Sequence, residues 1–109
     1  CVLLAFAPRE DDRVEVESFD FPETVGFNLS SIPEAEPGAW GNYVRGAALA
    51  LQREFPELRR GFDGVITGEM PVGGLSSSAA VTCCYLTAFE RIHGIEERAD
   101  ENVKRVLYT

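Results

Sequence analysis

The sequence predicts an α+β domain in which helices pack against an antiparallel or mixed sheet. Strand-like runs account for most of the first 29 residues, and apolar residues at helical spacing follow over residues 44–55. A further strand-like run over residues 62–68 precedes an apolar segment long enough for a core helix. The 109 residues are enough for one modest domain.

The first part of the chain is predicted to form three strands. Residues 2–7 are an apolar run typical of a buried strand, and the charged segment 9–13 predicts a turn that joins it to the next strand as a hairpin. In residues 14–18 valines alternate with glutamates, which indicates a half-buried antiparallel strand whose acidic side chains face solvent. Residues 24–29 supply a third extended segment, and residues 30–38, with two prolines, form a loop.

Helices dominate the second part. The helical pattern of residues 44–55 ends at Pro56, which cannot continue a helix. Residues 77–93 are apolar nearly all round, so this helix belongs in the core, and Gly94 ends it. Residues 95–107 show the spacing of a last amphipathic helix.

Composition bounds the class of protein. The chain is 45% hydrophobic and 26% charged, and no apolar run approaches the roughly 18 residues of a membrane span. A net charge of −8 argues against binding to nucleic acid or to an anionic membrane, so we expect a small-molecule partner. Cys1, Cys83 and Cys84 match no metal or disulfide spacing, which favours a reducing, cytoplasmic location.

The most informative segment is residues 70–80, which reads MPVGGLSSSAA. Its glycines allow a ligand to approach the backbone closely, and its serines cap a helix whose free N–H groups and positive dipole end attract anions. A strand, this loop and a helix follow in the order that phosphate binding requires. No Gly-Lys-Ser/Thr or G-x-G-x-x-G pattern is present, which excludes a Walker loop and a dinucleotide fingerprint. An ordinary capped helix start is the simpler alternative.

Two segments resemble the GHMP kinases. PVGGLSSSAA at residues 71–80 is similar to their second signature, one residue shorter between the glycines, and the triple serine favours galactokinases. WGNYVRG at residues 40–46 is similar to a galactokinase segment that precedes that signature. The resemblance covers roughly residues 2–92.

The resemblance implies a domain like the second domain of ribosomal protein S5, with helices on one side of the sheet and a left-handed crossover. GHMP kinases have two domains, so residues 1–109 are expected to be an incomplete N-terminal domain, an excerpt of a longer protein, that carries the phosphate-binding loop at 70–80. The implied activity is an ATP-dependent sugar kinase that transfers the γ-phosphate to the 1-hydroxyl of galactose or a related sugar. Two alternatives stay open, a non-catalytic sensor of sugar and ATP, and a GHMP kinase for mevalonate or homoserine.

The resemblance also implies the site. ATP and Mg²⁺ are the expected cofactors, Ser78 aligns with a magnesium-contacting serine, and the adenine would lie against Trp40 and Tyr43. No catalytic residue is expected within this chain, since the segments that carry the sugar contacts and the catalytic aspartate in the family have no match in it. The residues expected to bind the triphosphate are Gly73, Gly74, Leu75, Ser76, Ser77 and Ser78.

Other polar residues are expected to have structural roles. Asn42 is predicted to cap the helix that it opens, and Arg45 to lie on a solvated helix face. His93 stands at a helix C-terminus, where a cation complements the dipole, and is interpreted as structural. Cys83 and Cys84 are interpreted as small apolar residues of a core helix and not as nucleophiles.

Overall fold

The computed structural model of this protein describes residues 2–68, 75–95, 102 and 105, and for residues 75–78 it describes the backbone alone. Within these residues the chain forms four strands and two helices, and Asn102 and Arg105 are also helical. The elements are β1 (Val2–Pro8), β2 (Arg13–Ser18), β3 (Val25–Asn28), α1 (Asn42–Glu54), β4 (Phe62–Gly68) and α2 (Leu75–His93).

The four strands form one mixed sheet in the order β1-β4-β2-β3. β4 runs antiparallel to β1, with Leu4 opposite Ile66, and parallel to β2, with Val16 opposite Gly64. β2 and β3 are antiparallel neighbours. The predicted α+β class and mixed sheet are therefore confirmed.

The predicted hairpin between β1 and β2 is wrong, because β4 lies between these two strands. The turn that joins β1 and β2 instead forms backbone hydrogen bonds with the residue just before β4. Arg9 N–H donates to the carbonyl of Gly61 at 3.0 Å, and Gly61 N–H donates to that of Asp11 at 2.9 Å. A Cβ on residue 61 would lie 1.8 Å from the carbonyl oxygen of Arg13, so only glycine allows this approach.

The core lies between one face of the sheet and the two helices. In β2 the valines are fully buried while Glu15 and Glu17 point away, as the alternating pattern predicts. The rings of Phe62 and Phe89 meet edge to face at 5.0 Å and join β4 to α2. The largest fully buried side chains are Tyr85, Phe62, Phe89, Leu29, Leu51, Leu58, Leu86 and Glu90.

α2 begins two residues before the predicted position and ends where predicted. Gly94 adopts a left-handed φ of 66°, which glycine tolerates best. Ile95 N–H donates to the carbonyl of Glu90 at 2.9 Å, and Gly94 N–H donates to that of Arg91 at 3.3 Å. These bonds form a Schellman motif that satisfies carbonyls at the helix end.

His93 is structural, as predicted, but its role is not that of a cation. Its Nδ1 donates to the carbonyl of Phe89 at 2.8 Å, so the ring proton is on Nδ1. Its Nε2 then accepts the backbone N–H groups of Arg59 and Arg60, at 3.2 Å and 3.1 Å. The neutral ring therefore connects the loop after α1 to the end of α2 by hydrogen bonds.

A buried polar cluster joins both helices to the helical residues near the end of the chain. Arg105 donates from Nη1 to Glu90 Oε2 at 3.3 Å and to Asn102 Oδ1 at 2.7 Å, and from Nε to Glu54 Oε2 at 2.6 Å. Asn102 Nδ2 donates to the other oxygen of Glu90 at 2.9 Å. The Glu90 side chain is fully buried, so its charge relies on these partners.

No helix in the described ranges combines the length and the apolar character that crossing a membrane requires.

Candidate functional site

The signature segment at residues 40–46 borders a cavity that it shares with the end of β4 and with α2. Trp40 stands in the turn before α1 and Tyr43 in the first turn of that helix. The same cavity is bordered by Gly68, the last residue of β4, and by Val81 and Tyr85 of α2. The remaining lining residues are Val2, Ser18, Asp20, Phe21, Ile66 and Thr67.

The predicted phosphate loop falls between β4 and α2, so the predicted strand before it and helix after it are confirmed. Gly73 and Gly74 fall in the segment 69–74, which lies outside the described residues. Residues 75–78 form the first turn of α2, and the structure describes only the backbone of these four residues. The first turn of a helix carries free N–H groups and the positive end of the dipole, which suit an anion.

Trp40 and Tyr43 separate two spaces of different size. Both are half-buried and line the inner cavity, whose volume is about 20 Å³, room for one water molecule. Both also line an open groove of about 800 Å³, large enough for a nucleotide-sized ligand. The ring of Phe21 stacks on Trp40 with 6.3 Å between centroids and 14° between planes. An aromatic wall thus faces both spaces.

Asn42 does not cap α1, contrary to the prediction. Gly41 is the N-cap residue and makes no side-chain cap bond. The Asn42 side chain reaches back to residue 36, where its Oδ1 accepts the Glu36 N–H at 2.9 Å and its Nδ2 donates to the Glu36 carbonyl at 2.5 Å. This pair of bonds closes the loop that carries Trp40.

Asp20 forms hydrogen bonds to two other residues that line the cavity. Its Oδ2 accepts the backbone N–H of Gly68 at 3.1 Å, and its own N–H donates to Ser18 Oγ at 3.0 Å. The segment with Phe21 is thereby tied to Gly68, the last residue of β4. Sequence reasoning missed Asp20 and Phe21, because neither has a local pattern that predicts contact with β4 or Trp40.

Tyr85 is the third residue that sequence reasoning missed. It is fully buried on α2, and its hydroxyl is the buried side-chain polar atom with no hydrogen-bond partner within the described part of the chain. Burial, and to a smaller extent Cys84, raises the pKa of Tyr85, so the hydroxyl keeps its proton. The sequence places Tyr85 among core aromatics and gives no signal of an unpaired hydroxyl.

Comparison with protein families decides the membership of the chain. The model described as "GHMP kinases N terminal domain" matches residues 42–107, which include α1, β4 and α2. The chain belongs to the GHMP kinase family.

GHMP kinases with sugar substrates are among the similar proteins. The chain is 33% identical to a galacturonokinase of Arabidopsis thaliana over 94% of this chain and 28% of that protein. It is 38% identical to a galactokinase of Actinobacillus pleuropneumoniae over 72% of this chain and 21% of that protein. The chain thus spans about a quarter of the length of these relatives.

Solved GHMP kinase structures share this fold. The Lactococcus lactis galactokinase complexed with galactose superposes with a TM-score of 0.86 at 28% identity, over 96% of this chain and 28% of that one. The mevalonate kinase of Methanococcus jannaschii superposes with a TM-score of 0.78 at 24% identity, over 96% of this chain and 34% of that one. The similarity to the mevalonate kinase shows a shared fold and nothing more.

The other candidate residues have structural surroundings in this GHMP kinase chain. Arg45 is half-buried and lines the open groove, with its Nη1 3.5 Å from Asn42 Oδ1. Cys83 and Cys84 are free thiols on α2, and burial raises the pKa of both, which disfavours the nucleophilic thiolate. The prediction that they are not nucleophiles agrees with this environment.

The sequence of the first turn of α2 contains oxygen atoms of the kind that bind Mg²⁺. Among the described residues no group of three or more histidine, cysteine and carboxylate side chains is placed to hold a metal ion. Residues 76–78 are serines, whose hydroxyl oxygens are acceptable ligands for Mg²⁺ when phosphates and water supply the others. The residues at this helix start therefore fit a magnesium ion that arrives with a nucleotide.

Proposed function

We propose that this chain is the nucleotide-loop part of the N-terminal domain of an ATP-dependent sugar kinase. Its full-length protein would transfer the γ-phosphate of ATP to the 1-hydroxyl of galactose or a related sugar. Family membership supports a kinase, and the sugar kinases among the relatives support this substrate class. Free Cys83 and Cys84 fit a reducing cytoplasm, where we place the protein.

One observation carries the proposal. Trp40 and Tyr43 border the same cavity as Gly68 and α2, between which the glycine-serine loop lies. A nucleotide has an aromatic base at one end and phosphates at the other, and it needs both kinds of surface within its own length. An aromatic wall beside a helix N-terminus offers that combination.

In this proposal the triphosphate lies on the loop and the first turn of α2. Backbone N–H groups there would donate to phosphate oxygens, and serine hydroxyls would add further hydrogen bonds. The adenine would lie in the groove against Trp40 and beside Tyr43. The triphosphate contacts are assigned to Gly73, Gly74, Leu75, Ser76, Ser77 and Ser78.

The chain holds and orients the nucleotide, while the acid-base chemistry belongs to residues outside it. Phosphoryl transfer depends mainly on alignment and on neutralising charge, which backbone amides and a helix dipole provide. Ser78 is the residue assigned to hold Mg²⁺. When bound, that ion neutralises charge on the phosphate oxygens.

Galacturonic acid is a specific second candidate for the sugar. The match to the galacturonokinase extends over 94% of this chain, compared with 72% for the galactokinase, although the identity within the galactokinase match is higher. The two sugars differ at carbon 6, where one carries a hydroxyl and the other a carboxylate. The residues that read this difference are not among those assigned here.

The test is an assay of the full-length protein that contains this sequence. Mg-ATP is titrated into the protein, and ADP release is then measured with galactose, galacturonic acid, arabinose, N-acetylgalactosamine and mevalonate. Release that depends on one sugar establishes the kinase and its substrate. Binding of ATP and sugar without turnover would favour a sensor, and a protein that binds no nucleotide would contradict the proposal.

Ser78→Ala tests the metal assignment. We expect turnover to fall at least tenfold, because one oxygen ligand of the ion is lost. The fold should be kept, since Ser78 lies inside α2, which begins at Leu75, and alanine is a good helix former. Steady-state rates across a range of Mg²⁺ concentrations and thermal unfolding check both expectations. Ser76→Ala is the comparison, since it removes an assigned phosphate contact but no assigned metal ligand. Equal rates for the Ser78 variant and the wild type would remove the metal role.

A further inference from the structure

The hydroxyl of Tyr85, which has no hydrogen-bond partner among the residues that the structure describes, requires an explanation. Buried polar groups in folded proteins are nearly always hydrogen-bonded, and an exception usually marks a bound water or a functional role. Tyr85 is fully buried in the core layer between α2 and the sheet, where phenylalanine would fill the same space without a polar atom. Packing alone therefore gives no reason for the hydroxyl.

The surroundings of Tyr85 point towards a ligand. Tyr85 lines the inner cavity together with Trp40 and Tyr43, the pair assigned to the adenine. Two polar neighbours on the wall are already engaged, since Ser18 Oγ accepts the N–H of Asp20 and Asp20 Oδ2 accepts the N–H of Gly68. Tyr85 is thus a polar group of this wall with hydrogen-bonding capacity to spare.

The size of the cavity defines how the contact is made. Its volume of about 20 Å³ accommodates one water molecule but not a nucleobase, whereas the adjoining groove of about 800 Å³ has room for a nucleotide. A base in the groove would lie on the outer side of the aromatic wall, beside Phe21, Trp40 and Tyr43, the residues that line both spaces. A single water in the inner cavity can bridge the base and the phenol.

We infer that Tyr85 is a specificity-determining residue for the nucleotide, whose hydroxyl hydrogen-bonds the edge of the base through one water in the cavity. The inference rests on the proposed function, because it needs the base to lie beside Trp40. It assigns to α2 a second role in nucleotide binding, one that reads the base rather than the phosphates.

The test is Tyr85→Phe in the full-length protein, with steady-state kinetics for ATP and GTP. We expect the KM for ATP to rise about tenfold, equivalent to about 1.4 kcal/mol, with kcat within twofold of the wild type. The ratio of kcat/KM for ATP over GTP should move towards one, because the group that reads the base edge is gone. The unfolding midpoint of the nucleotide-free variant should stay the same or rise, since an unpaired buried hydroxyl has been removed.

Thr82→Val is the matched control. Thr82 is also a buried hydroxyl residue of α2, but it is engaged elsewhere and does not line the cavity. Its variant should lower the unfolding midpoint and leave both nucleotide constants unchanged.

Two results would overturn the inference and are distinguishable. If the Tyr85 variant has a lower unfolding midpoint and an unchanged KM for ATP, the hydroxyl is bonded within the protein and only this inference fails. If the wild-type protein binds no ATP by calorimetry, the proposed function fails and this inference fails with it.

Discussion

At the scale of single residues, the aromatic wall is held in place by polar side chains that bond to backbone. Asn42 makes two hydrogen bonds to Glu36, and Asp20 makes one to Gly68. Trp40 itself is half-buried and is stacked on Phe21. The position of the tryptophan therefore depends on polar side chains that are not part of the aromatic wall itself.

Asn42→Ala tests this dependence. Two hydrogen bonds, each worth about 1 kcal/mol, are lost from the loop that carries Trp40. We expect the KM for ATP to rise about fivefold in the full-length protein, with kcat and the KM for the sugar nearly unchanged. Asn42 would then be a positioning residue.

Asn28→Ala is the control for Asn42. The Asn28 side chain also makes two hydrogen bonds, to Arg13 and Asp12, on the far edge of the sheet. It should lower the unfolding temperature without a change in the KM for ATP. If the Asn42 variant also keeps its KM for ATP, nucleotide binding does not depend on the two hydrogen bonds between Asn42 and Glu36.

How much of the site could be predicted depends on where its residues lie in sequence. Trp40 and Tyr43 belong to one short segment, so a pattern could reveal them before any fold was known. Phe21 and Tyr85 line the same cavity only because the fold brings the segment after β2 close to α2. No local pattern contains that information, because it arises from long-range packing.

At the scale of elements, every strand was predicted close to its observed position, but one pairing was not. Alternating and apolar runs are local properties, and they correctly predicted β1 to β4. The partner of each strand depends instead on which buried faces meet. The charged turn after β1 indicated a hairpin, whereas the close contact at Gly61 brings β4 between β1 and β2.

Gly61→Ala tests the importance of this close contact. The added Cβ would lie 1.8 Å from the carbonyl oxygen of Arg13, so backbone must shift at the entry of β4. We expect the free energy of unfolding to fall by at least about 3 kcal/mol, measured by chemical denaturation.

Gly94→Ala is a suitable comparison for the Gly61 variant. Residue 94 has a left-handed φ of 66° but nothing within 4 Å of an added Cβ. Only backbone strain acts there, so the cost should be about 1 kcal/mol. Equal effects of the two substitutions would mean that the contact at residue 61 relaxes without cost.

At the scale of the whole molecule, the charged cluster around Glu90 connects parts of the chain that the sheet does not reach. Arg105 joins Glu54 at the end of α1 to Glu90 on α2, and Asn102 completes the set. The Arg105 side chain is 8% exposed and that of Glu90 is fully buried. Such a cluster favours one arrangement of helices, because any other arrangement leaves a charge buried without a partner.

Arg105→Ala should therefore destabilise the protein by about 3–5 kcal/mol, since it leaves the Glu90 carboxylate buried and poorly compensated. Adding Glu90→Gln to this variant should restore part of the loss, because the buried charge is then removed. Chemical denaturation of the two variants checks both expectations.

Arg9→Ala is the control at the surface. Arg9 also contacts two carboxylates, Asp11 and Asp63, at 2.7 Å and 2.8 Å, but all three side chains are substantially exposed. Its loss should be much smaller than that of Arg105, because solvent screens exposed ion pairs. A double variant at Glu90 and Arg105 that is no more stable than Arg105→Ala alone would contradict the assigned charge balance.

The position of β4 in the middle of the sheet has a consequence for folding during synthesis on the ribosome. β2 and β3 can pair as soon as both have emerged, whereas the partner of β1 within the described residues is β4, which follows α1 in the chain. Non-local pairing of this kind slows folding, and an apolar strand with an open edge invites wrong partners while it waits. Translation pauses or chaperones that act between the synthesis of β1 and that of β4 would therefore govern the yield of folded protein.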